Sequence, residues 1–376
     1  MPRFANKQNL GTSQRMMNSS ISESFKSNPV QLNRIVPLDF KAHAIKLPDS
    51  HTWTLSTDNP TAVDPLTFES VPVIDLDDPN VVSLTRHACE QWGMFQVTNH
   101  GIRSDLLIEL EFQTRRLFSL PLDQKLHAVR SPEDFSGYGL PRISTFFPKL
   151  MWSEGFSIMG SQVEHASKLW PNDHTKFCNV MEEYQREMKD LTERILGLML
   201  RSLGLTREDV KWLKPKDGGS RHSQALLHLN SYPVCPDPSQ AMGLAPHTDS
   251  SLLTLLYQSC TNGLQVHKEN IGWAPVHPIA GALIVNVGDL MYILSNGRFK
   301  SPKHQVLVNK SCHRISIAYF YGPPVDVKIS PSMKLIDHKH PPLYRPVTWK
   351  EYLDAKAMHF DKAFEFIRND VRISNI

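Results

Sequence analysis

The chain has 376 residues and a formal net charge of +3, room for one large domain or two ordinary ones. Its 41 basic and 38 acidic side chains are too evenly matched to favour nucleic acid or a membrane surface, and no apolar run reaches the roughly 18 residues that span a bilayer. Five scattered cysteines (Cys89, Cys178, Cys235, Cys260, Cys312) lack CxxC spacing, so they read as reduced thiols of the cytoplasm or nucleus, not as a disulfide framework or zinc cage.

Within residues 1–37, the first ~30 are rich in Asn, Ser and Gln, with Arg3, Lys7, Arg15 and Lys26 against the single acid Glu23. A disordered extension is expected there. The acid-poor, Ser-rich start also has the composition of an organelle transit peptide, but no amphipathic period precedes Ile35 and Met17 offers a second start.

Order is expected from about Leu38. Val71-Pro-Val-Ile-Asp-Leu76 suits a short strand, and a helix follows from Ser83 with Leu84, Ala88 and Trp92 at helical spacing. Gly93 to Gly101 supplies a helix end, a strand and a turn. Ser104 can cap the next helix, whose apolar positions include Leu107, Leu110, Leu117 and Phe118. Pro121 opens a short helical turn. Residues 131–160 mix glycine, proline and aromatics, as loops and short strands around a pocket do. The longest helix runs from about His174 to Leu203 on the stripe Phe177, Met181, Tyr184, Met188, Leu191, Ile195 and Met199, a packing face.

Past Thr206 to Leu213 the character changes. β-rich runs follow at Leu226–Tyr232, Leu252–Tyr257, Leu264–Val266, Leu283–Val287, Met291–Leu294, Val306–Val308 and Arg314–Tyr321. Turn signals such as Asn262-Gly263, Gly288-Asp289 and Asn296-Gly297 separate them. The expected division is a mostly helical region over 38–205, a strand region over 206–345 and a closing helix over 346–376. Helices first and strands second predict an α+β protein with an antiparallel sandwich or barrel.

Within the strand region, His247 and Asp249 stand two residues apart, and on a strand would project from one face. His304 lies far along the chain, ten residues before a strand bearing Arg314 and Ser316. A lone His-x-Asp is weak, but two imidazoles and one carboxylate on one side of a metal are the ligand set of non-haem Fe(II) oxygenases. Strand alternation puts Arg314, Ser316, Ala318 and Phe320 on one face and Ile315, Ile317 and Tyr319 on the other. A buried arginine needs an anion, and its planar fork suits a carboxylate. A pocket with a metal at one end and an Arg/Ser pair at the other suits a dicarboxylate such as 2-oxoglutarate.

His247-Thr-Asp249, His304 and Arg314-Ile-Ser316 resemble the signature of plant 2-oxoglutarate- and Fe(II)-dependent dioxygenases. Asn230-Ser-Tyr232-Pro233 is similar to that family's Asn-x-Tyr-Pro strand, and Pro72-Val-Ile-Asp75 and Trp92 to Gly101 are similar to its N-terminal region. The resemblance covers about residues 38–370. It implies a distorted double-stranded β-helix (jelly-roll) core over 206–345 with the helical region packed around it. It also implies iron held by His247, Asp249 and His304, with 2-oxoglutarate held by Arg314, Ser316, Tyr232 and Asn230. O2 is the oxidant and ascorbate the reductant. Gln305 departs from the family, where an arginine often follows the distal histidine.

Leu47 to Trp53, Gly137-Tyr-Gly139, Ile143 to Phe156, Leu229 to Pro236 and Val347 to Tyr352 resemble the gibberellin 3-oxidase group within that family. This implies a monomer acting on a small diterpenoid acid. Such a substrate needs apolar walls and one cation. Candidates are Tyr138, Phe146, Phe147, Trp152 and Phe320 for walls, and Arg142 and Lys149 for the cation. Gibberellin 2- or 20-oxidation and flavonoid oxidation use the same metal triad and stay open as alternatives. A zinc hydrolase or a β-barrel binding protein leaves the Arg314/Ser316 pair or the complete triad without a purpose.

Overall fold

The computed structural model describes residues 19–54, 70–213 and 223–369. Met17 and the rest of residues 1–18 lie outside them, as do residues 370–376 of the closing segment.

Order begins upstream of Leu38. Helix α1 (Ser20–Ser27) is capped by Ser19, whose hydroxyl accepts the Ser22 N–H. Ile21 and Phe25, one helical turn apart, bury in the main core. The polar composition of residues 1–37 hid this pair, and the expected disordered extension contains a packed helix.

The chain continues through β1 (Val73–Asp75), α2 (Val81–Gln91), β2 (Met94–Thr98), α3 (Ser104–Ser119), α4 (Leu122–Leu126), β3 (Gly137–Gly139), β4 (Glu154–Ile158), α5 (Val163–Leu169) and α6 (Thr175–Ser202). Then come β5 (Gln224–Tyr232), β6 (Met242–His247), β7 (Leu253–Gln258), β8 (Leu264–Lys268), β9 (Gly272–Pro275) and β10 (Leu283–Val287). Helix α7 (Asp289–Leu294), β11 (His304–Leu307), β12 (Arg314–Gly322) and α8 (Trp349–His359) complete the framework of the site.

Two sheets face each other. The large one runs β1-β2-β10-β7-β12-β5-β4-β3 and the small one β6-β11-β8-β9. Only the β1–β2 ladder among these is parallel. The stretch 38–205, expected to be mostly helical and packed around the core, in fact donates both edges of the large sheet. The outer face of that sheet carries Leu227, Leu229, Leu253, Leu255, Ile315, Ile317 and Tyr319. It packs in one core with the apolar stripe of α6 and with Leu110 and Leu117 of α3. The inner face meets the small sheet through Tyr232, Leu256, Ile284 and Ala318 against Leu264, Val266 and Val306.

Three local expectations differ from the structure. Met291–Leu294 is the end of α7, not a strand: Asp289, Leu290, Met291, Ile293 and Leu294 are all buried, and a short run apolar on every side has no period to separate helix from strand. Strand β6 carries the first candidate ligand but is broken in sequence by Gly243 and Pro246, which masked it. Ser104 is the first residue of α3 rather than its cap; Arg103 holds the cap position without a side-chain capping bond.

Helix α8 is aimed by its start. Thr348 and Glu351 form a reciprocal capping box. Trp349 then packs against the end of β12, where a β-carbon on Gly322 would stand 2.1 Å from its ring, so only glycine admits it. The closing helix expected over 346–376 is interrupted: α8 ends at His359, Phe360 has φ of 48°, and a short helix resumes at Ala363–Ile367.

Candidate active site

His247 ends β6 and His304 begins β11, and the two are cross-strand partners in the small sheet. Their rings lie 4.2 Å apart. Asp249 reaches the same point by another route. It sits past the end of β6, in the loop before β7, rather than on the strand with His247. Its Oδ1 stands 3.7 Å from Nε2 of each histidine. One ligand atom from each of the three residues falls within a span of 4.8 Å.

The rings are oriented by backbone carbonyls. Nδ1 of His247 meets the Ala245 carbonyl at 2.9 Å, and Nδ1 of His304 meets the Pro302 carbonyl at 3.1 Å. A carbonyl only accepts, so each Nδ1 carries the proton and each Nε2 keeps its lone pair for a metal. Burial, and then the neighbouring His304, pushes His247 down to about 3, so it is neutral at ordinary pH. Burial alone raises the Asp249 carboxyl, but the two imidazoles, Asn286 and Thr254 together hold it below its usual value. Asn286 donates to Asp249 Oδ2 at 3.2 Å and leaves Oδ1 for the metal. Two imidazole nitrogens and one carboxylate oxygen on one side suit Fe(II) and leave the far side open.

The second half of the site is built from β5 and β12. Arg314 pairs with Tyr232, and Ser316 with Asn230, so period-two alternation sends all four side chains into the space between the sheets. Arg314 is 1% exposed. Its Nη2 donates to Gln258 Oε1 at 2.8 Å, while Nε and Nη1 have no partner. Burial pushes the guanidinium pKa down, and the adjacent Tyr232 works against that. Among the described residues no carboxylate ion-pairs with it. A buried cation with two open donors fits a carboxylate arriving with a ligand.

One cavity joins the two halves. His247, Asp249, His304, Asn230, Tyr232, Arg314 and Ser316 all line it. Of the candidate substrate residues, Arg142, Phe146 and Phe320 line it as well. Phe146 stacks on Phe360 at 4.6 Å between centroids. Tyr138, Phe147, Trp152 and Lys149 do not line it. Tyr138 is fully buried and donates to Glu154 at 2.5 Å. Trp152 sits in a separate cluster with Phe40 and Leu47 and donates to the Pro233 carbonyl. Phe147 packs edge-on to Phe360 and beside Trp53. Lys149 is bonded to the Asp49 carbonyl at 2.7 Å on the outside. Aromatic and basic content placed a pocket near this segment but not which side each residue faces.

Several residues were missed. Asn286 is the one amide in the apolar run Leu283-Ile-Val-Asn-Val287, a signal in plain view. Asp289, fully buried, accepts from Thr248, Ser301, Tyr352 and Lys356, and its N–H donates to the Asp249 carbonyl at 2.7 Å. Arg130 and, from α1, Ile21, Ser24 and Phe25 line the cavity. Gln305, the departure from the expected arginine, is buried and donates to Gln265 Oε1 at 2.7 Å on the neighbouring strand.

A family model described as the 2OG-Fe(II) oxygenase superfamily matches residues 223–323. A second, described as non-haem dioxygenase in morphine synthesis N-terminal, matches residues 71–176. The chain belongs to the 2OG-Fe(II) oxygenase superfamily. It is 51% identical over 356 residues to gibberellin 3-beta-dioxygenase 3 of Arabidopsis thaliana, covering 93% of this chain and 99% of that one. It is also 51% identical to gibberellin 3-beta-dioxygenase 1 of Pisum sativum, covering 93% and 94%. Among solved structures, JOX2 in complex with 2OG, Fe and JA superposes with a TM-score of 0.70 at 32% identity, covering 84% of this chain and 92% of that one. The dioxygenase for auxin oxidation in rice gives 0.65 at 28% identity, covering 80% and 100%. These neighbours support the double-stranded β-helix expected from the sequence. Among the described residues, no helix is long and apolar enough to cross a membrane.

Proposed function

We propose that the protein is a 2-oxoglutarate- and Fe(II)-dependent dioxygenase that hydroxylates a gibberellin precursor at the 3β position, giving the bioactive hormone. The observation that carries it is the single cavity holding a two-histidine, one-carboxylate cluster at one end and the unpaired Arg314 fork at another. The identity to gibberellin 3-beta-dioxygenases over nearly the whole chain supports the choice of substrate.

His247, Asp249 and His304 hold the iron. Arg314 and Ser316, with Tyr232 and Asn230 beside them, hold the far carboxylate of 2-oxoglutarate. With iron and O2 bound, 2-oxoglutarate is decarboxylated to succinate and CO2, one oxygen atom going to succinate and the other into a substrate C–H bond. The protein needs no general base for this. Its task is to ligate, to orient and to keep water and side reactions out. Phe146 and Phe320 supply apolar wall for the skeleton, and Arg142 is the cation among the sequence candidates that faces the cavity. We further propose a monomer acting in the cytoplasm, with ascorbate keeping the iron ferrous. The five free cysteines suit such a reducing compartment.

The test is incubation with several gibberellins, Fe(II), ascorbate and 2-oxoglutarate, with products identified by mass spectrometry. A 3β-hydroxylated product is expected. Product oxidised at C-2 or C-20 instead would move the enzyme to a sister activity. Turnover of 2-oxoglutarate with no gibberellin-dependent product would remove the substrate assignment.

A further inference from the structure

Away from Arg314 the cavity holds a second concentration of positive charge, in which Arg142 has a neighbour, Arg130, with no role so far. Arg130 is 3% exposed, and its Nη2 is buried with no partner. Arg142 has a buried Nη1 with no partner. Both line the cavity that holds the metal cluster. No ion pair neutralises either one among the described residues. Asp354 faces Arg142, but its oxygens are taken by Ser24 at 2.6 Å, Asn28 at 3.0 Å and Lys350 at 2.6 Å. His228, beside Arg130, is held neutral by burial and adds no negative charge.

The pair is also built into place. Arg142 donates to the Asn28 carbonyl at 2.6 Å, just past the end of α1, and its guanidinium lies 3.5 Å over the Phe25 ring. Arg130 lies against Gly139, where a β-carbon would come 3.6 Å from the guanidinium carbon and 2.8 Å from the Ile35 carbonyl oxygen. Burial lowers both pKa values to about 10, and for Arg130 the nearby Arg142 adds to the effect. Two neighbouring cations, Arg130 buried and Arg142 half-buried, each with an open buried donor, are costly unless an anion joins them. Arg314 is separately committed to the cosubstrate, so this second anion comes with the substrate.

We propose that Arg130 and Arg142 form a second anion subsite that grips the carboxylate of the substrate, and thereby fixes which carbon of its rigid skeleton faces the metal ligands. This rests on the gibberellin assignment above, because a gibberellin is an apolar skeleton bearing a carboxylate. Helix α1 completes the subsite by holding Arg142, which gives the N-terminal segment a part in substrate selection.

The test titrates the anaerobic protein, loaded with Fe(II) and 2-oxoglutarate, with a gibberellin acid and with its methyl ester. Wild type is expected to bind the acid roughly tenfold tighter or more, since a site built for a hydrogen-bonding group rejects the analogue that lacks it. Arg130→Met is expected to abolish that preference and leave 2-oxoglutarate affinity unchanged. Arg130→Lys, which keeps the charge but loses the fork, recovers part of it. If Arg130→Met loses 2-oxoglutarate binding through misfolding, Arg142→Met carries the same comparison. A preference that survives in both variants, or that is absent from wild type, overturns the subsite. If neither form of gibberellin binds wild type, the substrate assignment fails on its own. The subsite is then read from melting temperature in sodium benzoate, expected to rise more in wild type than in Arg130→Met; equal rises overturn it.

Discussion

Lys356, on α8, donates to the buried carboxylate of Asp289 at 2.5 Å and with the same ammonium reaches the carbonyl and hydroxyl of Thr248 at 2.7 and 2.8 Å. Thr248 stands between the two ligands His247 and Asp249. The closing helix is therefore tied directly to the metal-binding loop. Lys356→Met leaves the Asp289 charge unpaired in the core, which is expected to cost about 3–5 kcal/mol in a denaturant titration. Metal affinity is expected to fall roughly tenfold to a hundredfold, as it does when partners behind the ligands are lost. Adding Asp289→Asn to Lys356→Met should return part of the stability. Loss of stability with metal affinity unchanged would show that the tie does not hold the ligands.

Asn286 acts closer to the metal. Asn286→Ala removes the amide hydrogen bond on Asp249 Oδ2 and leaves the carboxylate held by Thr254. Metal affinity, read by anaerobic Fe(II) titration, is expected to drop roughly tenfold or more. The affinity for 2-oxoglutarate at saturating metal should change far less. An equal loss of both would point to general disruption of the site.

Arg314 is predicted to act on the cosubstrate alone. Arg314→Gln replaces a charge-assisted pair worth about 1.5–3 kcal/mol, so KM for 2-oxoglutarate should rise on the order of tenfold to a hundredfold. Fe(II) affinity should stay near wild type, because none of the ligands touches Arg314. The weak visible charge-transfer band of the anaerobic Fe(II)–2-oxoglutarate complex gives an independent readout. If the band forms at unchanged 2-oxoglutarate concentrations in Arg314→Gln, the assigned role is wrong.

Buried and half-buried histidines set an acid limit on stability. Burial above all holds His51, His228 and His313 down to about 4, 3 and 4, from an unfolded value of 6.5. Between those values the unfolded chain binds protons that the folded chain refuses, so stability rises with pH there. It is fully present above about pH 6.5 and is lost as pH falls towards the folded values, by about 1.4 kcal/mol per pH unit for each histidine. Urea midpoints between about pH 7.5 and about pH 5 should fall accordingly, before most carboxylates titrate. His228→Gln should flatten the profile, and a wild-type midpoint constant across this range would contradict the assignment.

The parts legible in the sequence were those governed by strand alternation and ligand chemistry. Arg314, Ser316, Ala318 and Phe320 all line the cavity, as period two requires. His247 and Asp249 belong together, although by a loop and not by a shared strand face. What stayed hidden depends on pairings between distant segments. Nothing near Asp289 announces Lys356, and nothing near Arg130 announces Arg142 or the Asn28 carbonyl that anchors it. Tyr138 and Trp152 sit in an aromatic stretch whose backbone path decides which rings face inward, and the positive φ of Gly137 and Gly139 in β3 is not written in composition.

The shared large sheet carries a consequence for how this chain folds and how it can be divided. β2 pairs with β10 and β4 pairs with β5, so the segments matched by the two family models are stitched along two separate seams. Each segment expressed alone would keep its internal ladders but lose its partner at both seams, and would present open strand edges that invite self-association. During synthesis β2 emerges long before β10, so it must wait with only its β1 edge paired until the second half arrives. Splitting the gene at the boundary between the two family matches is thus expected to give insoluble halves, whereas co-expressed halves can regain solubility by completing one another's sheet.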